Sequence, residues 1–283
     1  CIAAGTTTNA PSTDLDGNTR PAPSGTNPDM GAYENSTISG SGNALSFDGT
    51  DDIVDCEDII SLRQPEYFTI MFWFNRTSSK DGGSHDTNHS VNNVMYSKGS
   101  DRYNDNIEIG TDGTSIEIYL DSNNGDHTVS HNAGITNDEW YHITVTYDKD
   151  ESNELLLYLD GSLVASFSNS SGKLDQTTNS PVTIGDTDHE SKPFHGLIDE
   201  VAVWTSVLDS STIAAIYNNG NGINNVATSY SSNLELYIKF ESELSDDSEN
   251  SHTISFGVNP GEGSGGTNST ATYNLITSSL PLQ

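Results

Sequence analysis

The chain of 283 residues carries 41 acidic and 10 basic side chains, a formal charge of −31 at pH 7. That balance argues against a nucleic-acid partner, which needs clustered Lys and Arg, and against docking on anionic lipid. Two cysteines, Cys1 and Cys56, are too few for a disulfide scaffold or a zinc cage, and no apolar run approaches the ~20 residues of a membrane span, so membrane insertion is not expected.

Residues 1–40 are rich in Thr, Pro, Asn and Gly and lack apolar periodicity, which predicts an extended N-terminal tail. No signal peptide is recognisable, so the chain is expected to be mature or a fragment. A Cys1–Cys56 bridge and a lipid-modified Cys1 both remain open. From residue 41 to about 205 the pattern changes to short strands broken by Gly, Asn and Asp turns. Ile116, Ile118 and Leu120 alternate with Glu117 and Tyr119, as in a half-buried strand. Ile143, Val145 and Tyr147 alternate with Thr144 and Thr146. Leu155, Leu157 and Leu159 alternate with Leu156 and Tyr158, which predicts burial on both faces. Asp160-Gly161 then joins this run to Leu163–Phe167 as a hairpin, and Asp112-Gly113 forms another. Strands at this spacing, with almost no helical pattern, predict an all-β, two-sheet antiparallel sandwich. One short helix is expected, capped by Asp209 or Ser210, with Ile213, Ile216 and Tyr217 on one face and Asn218-Asn219-Gly220 ending it. Leu234–Phe240 alternates like a strand; it either completes the sandwich in permuted order or begins a second domain, and the short remainder of the chain favours the first. Gly261–Gly266 is a flexible loop.

Several phrases carry a family resemblance: Asn43–Asp52, Phe68–Phe74, Trp140–Asp148, Leu157–Gly161 and Phe194–Trp204. In this order they resemble the laminin-G-like branch of the concanavalin A-like lectin/glucanase jelly rolls, from about Asn43 to Tyr217. The resemblance implies a jelly-roll domain over 41–225, a helix at its rim, and an extension over 226–283. That fold is usually a binding module. Separately, Ala10–Pro21 and Asp29–Glu34 resemble the closing segment of bacterial parallel β-helix surface proteins. Such a fold needs several stacked repeats and none is present here, so the tail is expected to belong to a longer secreted protein or to pack elsewhere.

Laminarinase-like relatives of this fold carry Glu-x-Asp-x-Glu on one strand, which aims three carboxylates into one cleft. Here Leu197–Val201 offers adjacent Asp199 and Glu200, expected on opposite faces, while Glu108, Glu117 and Glu154 sit singly on other strands. No catalytic residue is therefore assigned, and there is no nucleophile elbow, P-loop or His-Glu-x-x-His. The resemblance implies a structural calcium, held by the Asp48 and Asp199 side chains with Gly49 or Asp51 contributing; calcium takes six to eight oxygen ligands. The alternative is that Asp48 stabilises a turn and Asp199 accepts backbone hydrogen bonds. Asp186 and Asp188 form a second candidate, or a solvated loop.

For a ligand, Tyr103 and Tyr119 are candidate platforms, with Asn123, Asp126 and His189 as polar partners. Trp73, Trp140 and Trp204 fall within strand phrases and are expected in the core, and His142 and His195 are expected to be packed or hydrogen-bonded. The expected protein is a secreted or cell-surface, non-catalytic recognition or adhesion module that binds a glycan or a surface protein. The alternatives are a self-assembling filament or virion-appendage subunit using strand addition to form a homo-oligomer, and a glycoside hydrolase.

Overall fold

The computed structural model describes residues 41–79, 91–99, 105–123, 125–168, 172, 174, 179–187, 192–220, 222–223, 225–241, 244–257 and 274–279. In chain order the strands are β1 (Ser41–Asp48), β2 (Val54–Asp55), β3 (Tyr67–Arg76), β4 (Tyr96–Gly99), β5 (Asp105–Asp112), β6 (Ser115–Ser122), β7 (Gly125–Asn132), β8 (Trp140–Asp148), β9 (Leu155–Leu159), β10 (Ser162–Phe167), β11 (Val182–Ile184) and β12 (His195–Trp204). Helices α1 (Ser210–Tyr217) and α2 (Val226–Ser229) follow, then β13 (Leu234–Ile238), β14 (Ser255–Phe256) and β15 (Asn274–Ser279).

Two antiparallel sheets result. One runs β10-β9-β8-β3-β12-β1-β15, with β13 also paired to β12; the other runs β14-β2-β11-β4-β5-β6-β7. The all-β sandwich expected from strand spacing is what the chain forms. Alternation builds its core: Phe68, Ile70, Phe72 and Phe74 of β3 and Ile143, Val145 and Tyr147 of β8 meet Ile107 and Ile109 of β5 and Ile116, Ile118 and Leu120 of β6. Each such side chain, fully buried, contributes roughly 1.5–3 kcal/mol of transfer free energy.

A second apolar cluster lies on the far side of the first sheet, where Met71, Ala202, Trp204 and Tyr237 pack with Ile216 of α1 and Val226 of α2. Strands β3 and β12 are thus buried on both faces, which explains their nearly continuous apolar runs. Trp73 and Trp204 are buried as expected, but Trp140, at the start of β8, is only half-buried. Asp209 caps α1 by accepting a hydrogen bond from the Thr212 N–H, and left-handed Asn218 ends it. Asp160 and Gly161, both at positive φ, turn β9 into β10.

Strand β12 has one edge shared by two strands. β1 pairs with its first half, through Leu45 opposite Ile198, and β13 with its second, through Ile238 opposite Val201. The chain after β13 is clipped back onto it. Asp246 accepts hydrogen bonds from the N–H groups of Tyr237, Ser248 and His252, and Asn250 donates to the Leu234 and Glu235 carbonyls. β14 then joins the other sheet beside β2, so residues 234–257 tie both layers together. Cys56 is fully buried as a free thiol, and Cys1 lies outside the described residues.

Candidate functional site

Strands β4 to β7 and β11 send apolar side chains inward, so their polar ones share the outer face of the seven-stranded sheet. Register aligns them in a row. Asp55 stands opposite Thr183, Thr183 opposite Ser97, Ser97 opposite Glu108, Glu108 opposite Tyr119, and Tyr119 opposite Thr128. Glu117 faces Ser130 in the next row, and Asp121 faces Asp126 beyond it.

Polar residues on an outer face normally meet water. Here Ser97, Glu108 and Tyr119 are all 0 % exposed, and Glu117 only 8 %. Residues 91–95 lie across Glu108 and Tyr119. The Val91 N–H donates to Glu108 Oε2 at 2.9 Å, and the Asn92 carbonyl accepts from the Thr111 N–H at 3.0 Å. Val91 and Val94 pack on Tyr119. Gly110 permits this contact, because a Cβ there would sit 2.1 Å from the Asn92 oxygen. Three buried polar atoms along or beside this row have no hydrogen-bond partner: Asn92 Nδ2, in the cover itself, Ser97 Oγ and Thr128 Oγ1. An orphaned buried group of this kind costs about 1–3 kcal/mol. The row reaches solvent at edge strand β7, where Thr128 is half-buried and Asp126 and Ser130 are exposed.

The sequence candidates divide on this face. Tyr119 and Asp126 share it, and Asn123 is exposed in the turn between β6 and β7. Tyr119 is not an open platform, however: its ring is covered by Val91 and Val94. Tyr103 and His189 lie outside the described residues. Ser97 and Thr128 carried no sequence signal beyond the outward phase of their strands, and Asn92 precedes β4 in a bend.

A second cluster lies in the turn from β1 to β2, where carboxylate oxygens of Asp48, Asp51 and Asp52 converge within 4.8 Å. Asp52 Oδ2 accepts from the Asp48 N–H and Asp48 Oδ1 from the Thr50 N–H, each at 2.7 Å. Burial pushes the Asp52 carboxyl up, the Asp48 N–H opposes this, and the charges of Asp48 and Asp51 reinforce it. Gly49 turns at φ +75 hard against His195. An all-oxygen set of three carboxylates fits a hard divalent cation. Asp199 is not part of it. Asp48 pairs with His195, so Asp199 lies four residues further along β12, roughly 13 Å away at strand rise. Asp186, the second metal candidate, is fully buried and spends Oδ1 on the N–H groups of Thr187 and Lys192, bracing its loop; Asp188 lies outside the described residues.

The expectation that Asp199 and Glu200 point to opposite faces fails. Glu200 adopts φ +53 in a bulge between Asp199 and Ala202, and both carboxyls lie on the α-helix side of the first sheet. Glu200 accepts from the Tyr237 hydroxyl, which lies in the apolar cluster under the helices. Burial drives Glu200 up to about 8, with Tyr237 lowering it and Glu241 raising it. Asp199 is also raised, by burial first and then by Glu200. His142 is buried against Trp73, and His195 Nδ1 lies 2.7 Å from Ser78 Oγ.

The two antiparallel sheets, packed face to face, form a jelly-roll sandwich. Residues 48–214 match the family model of the Concanavalin A-like lectin/glucanases superfamily, and the chain belongs to that family. Comparison with proteins of curated function finds no match. Among solved structures, a Bacteroides ovatus protein whose proposed role is carbohydrate binding superposes with a TM-score of 0.56 at 18% identity, covering 77% of this chain and 60% of that one. This chain thus spans about 60% of that protein's length. The native heptameric SAP-like pentraxin of Limulus polyphemus gives 0.49 at 14% identity, covering 78% of this chain and 97% of that one. The CBM40 of the Ruminococcus gnavus IT-sialidase, bound to α2,3 sialyllactose, gives 0.45 at 19% identity, covering 57% and 91%. No helix among the described residues is long and apolar enough to cross a membrane.

Proposed function

We propose that this chain is a secreted or surface-displayed, non-catalytic module that binds glycans on the outer face of the seven-stranded sheet. Calcium at Asp48, Asp51 and Asp52 would fix the turn that leads into β2, where the polar row begins. One observation carries the reading: Asn92 Nδ2, Ser97 Oγ and Thr128 Oγ1 are buried without partners along or beside a polar row that opens to solvent at Asp126 and Ser130 of β7. Where the row opens at β7 it offers donors and acceptors to a hydroxyl-rich ligand. The fold-level likeness to a protein with a proposed carbohydrate-binding role is consistent with it.

A hydrolytic reading has one point in its favour, since Glu108 and Glu117 are diagonal neighbours across β5 and β6. Against it, Glu108 is fully buried and accepts the Val91 N–H, which commits it to holding the cover. Asp199 and Glu200, on the other sheet, face away from this surface.

The test is calorimetric titration of a glycan panel into the wild type and Thr128→Ala, with reducing ends assayed in parallel. Removing an orphaned hydroxyl should stabilise the unliganded protein by about 1 kcal/mol while weakening glycan binding about tenfold. Absence of any glycan binding, a destabilised Thr128→Ala with unchanged affinity, or release of reducing ends would each reject the reading.

A further inference from the structure

An edge strand bares a row of backbone N–H and C=O groups, and natural sheets keep such rows from pairing by Lys or Pro, by a bulge, or by shortness. Four strands end the two sheets: β10, β15, β14 and β7. β14 is two residues long, and β10 is broken by a bulge between Leu163 and Ala165. β7 has none of these devices. Its eight residues, Gly125–Asn132, hold no Lys or Pro. They pair with β6 without a break, from Asn132 opposite Ser115 to Gly125 opposite Ser122. Among the described residues, no strand pairs with the other edge of β7.

The residues of β7 also complement themselves. Asp126, Thr128, Ser130 and Asn132 share the outer face, and His127, Val129 and His131 the inner one. Two copies set side by side about a two-fold axis keep each group on its own face. With Val129 on the axis, Val129 meets Val129 of the second copy, Thr128 meets Ser130, and Asp126 meets Asn132. The register of equal length with Thr128 on the axis would instead set Val129 against His127. Asn132 Oδ1 already accepts from the Thr114 hydroxyl and the Gly134 N–H, so its amide donors are the end that serves the Asp126 carboxylate. We propose that a second copy of this chain pairs with β7 through its own β7 in the Val129-centred register, joining the two seven-stranded sheets into one. The formal charge of −31 on each copy opposes this association, and salt screens it. The pairing does not depend on the glycan reading, but it would run the two polar rows together across the axis.

The experiment is sedimentation equilibrium of the full chain at about 10 to 300 μM, in salt of about 0.15 M and about 1 M. A monomer–dimer equilibrium that strengthens with salt is expected. Asn132→Asp keeps the oxygen that serves Thr114 and Gly134 but sets two carboxylates against each other at both ends of the interface. It should weaken the dimer about tenfold. Adding Asp126→Asn to it places an amide opposite each carboxylate again and should restore the wild-type affinity. Melting curves check that both variants fold. A monomer at every concentration and salt overturns the proposal. So does a dimer that Asn132→Asp leaves intact, or one that the second substitution fails to rescue.

Discussion

The Tyr237 hydroxyl donates to Glu200 Oε2 at the seam where β1 and β13 share one edge of β12. Glu241 flanks this seam and accepts the Asn43 N–H at 3.3 Å. Burial holds Glu200 near pKa 8, well above the ordinary 4.5 of a Glu. The folded state therefore keeps a proton that the unfolded chain releases, and stability falls as pH rises from about 4.5 through 8. Glu200→Gln, which mimics the neutral form, should flatten this decline and raise stability above pH 8. Urea midpoints measured from pH 4.5 to 9 check it; parallel curves for the two proteins would refute the assignment.

The Asp48–Asp51–Asp52 turn should bind calcium at the expense of the proton favoured by burial of Asp52. Calcium at about 100 times its dissociation constant stabilises a folded protein by about 2.7 kcal/mol if the unfolded chain does not bind it. Melting temperature should rise with added calcium and fall with EDTA, and Asp51→Asn should reduce both responses. Identical melting curves in calcium and EDTA would rule this site out.

Asp246 holds three backbone N–H groups and the Ser248 hydroxyl, so it fastens the segment that links the two sheets. Asp246→Ala should cost about 2–4 kcal/mol and accelerate amide exchange in β13. An unchanged denaturation midpoint would mean that this clip does not hold the sandwich.

Much of the sandwich was legible because its signals are local. The alternation of Ile116, Ile118 and Leu120, the Asp160-Gly161 turn and the Asp209 cap each follow from neighbouring residues alone. The site was less legible because its geometry is set from afar. Tyr119 reads as an outward, solvated ring until Val91 and Val94 arrive from a distant segment to cover it. Asp199 and Glu200 alternate on paper, yet the bulge where β12 changes partner from β1 to β13 puts them on one side. Asp48 and Asp199 were separated by register, which no local pattern encodes.

Amide hydrogen exchange with and without the tightest-binding oligosaccharide tests the central claim most directly. Ligand protection is expected in β4, β5, β6 and β7 and in residues 91–95, with the first sheet unchanged. Protection confined to β8, β9 and β10, or to the turn at residues 48–52, would contradict it.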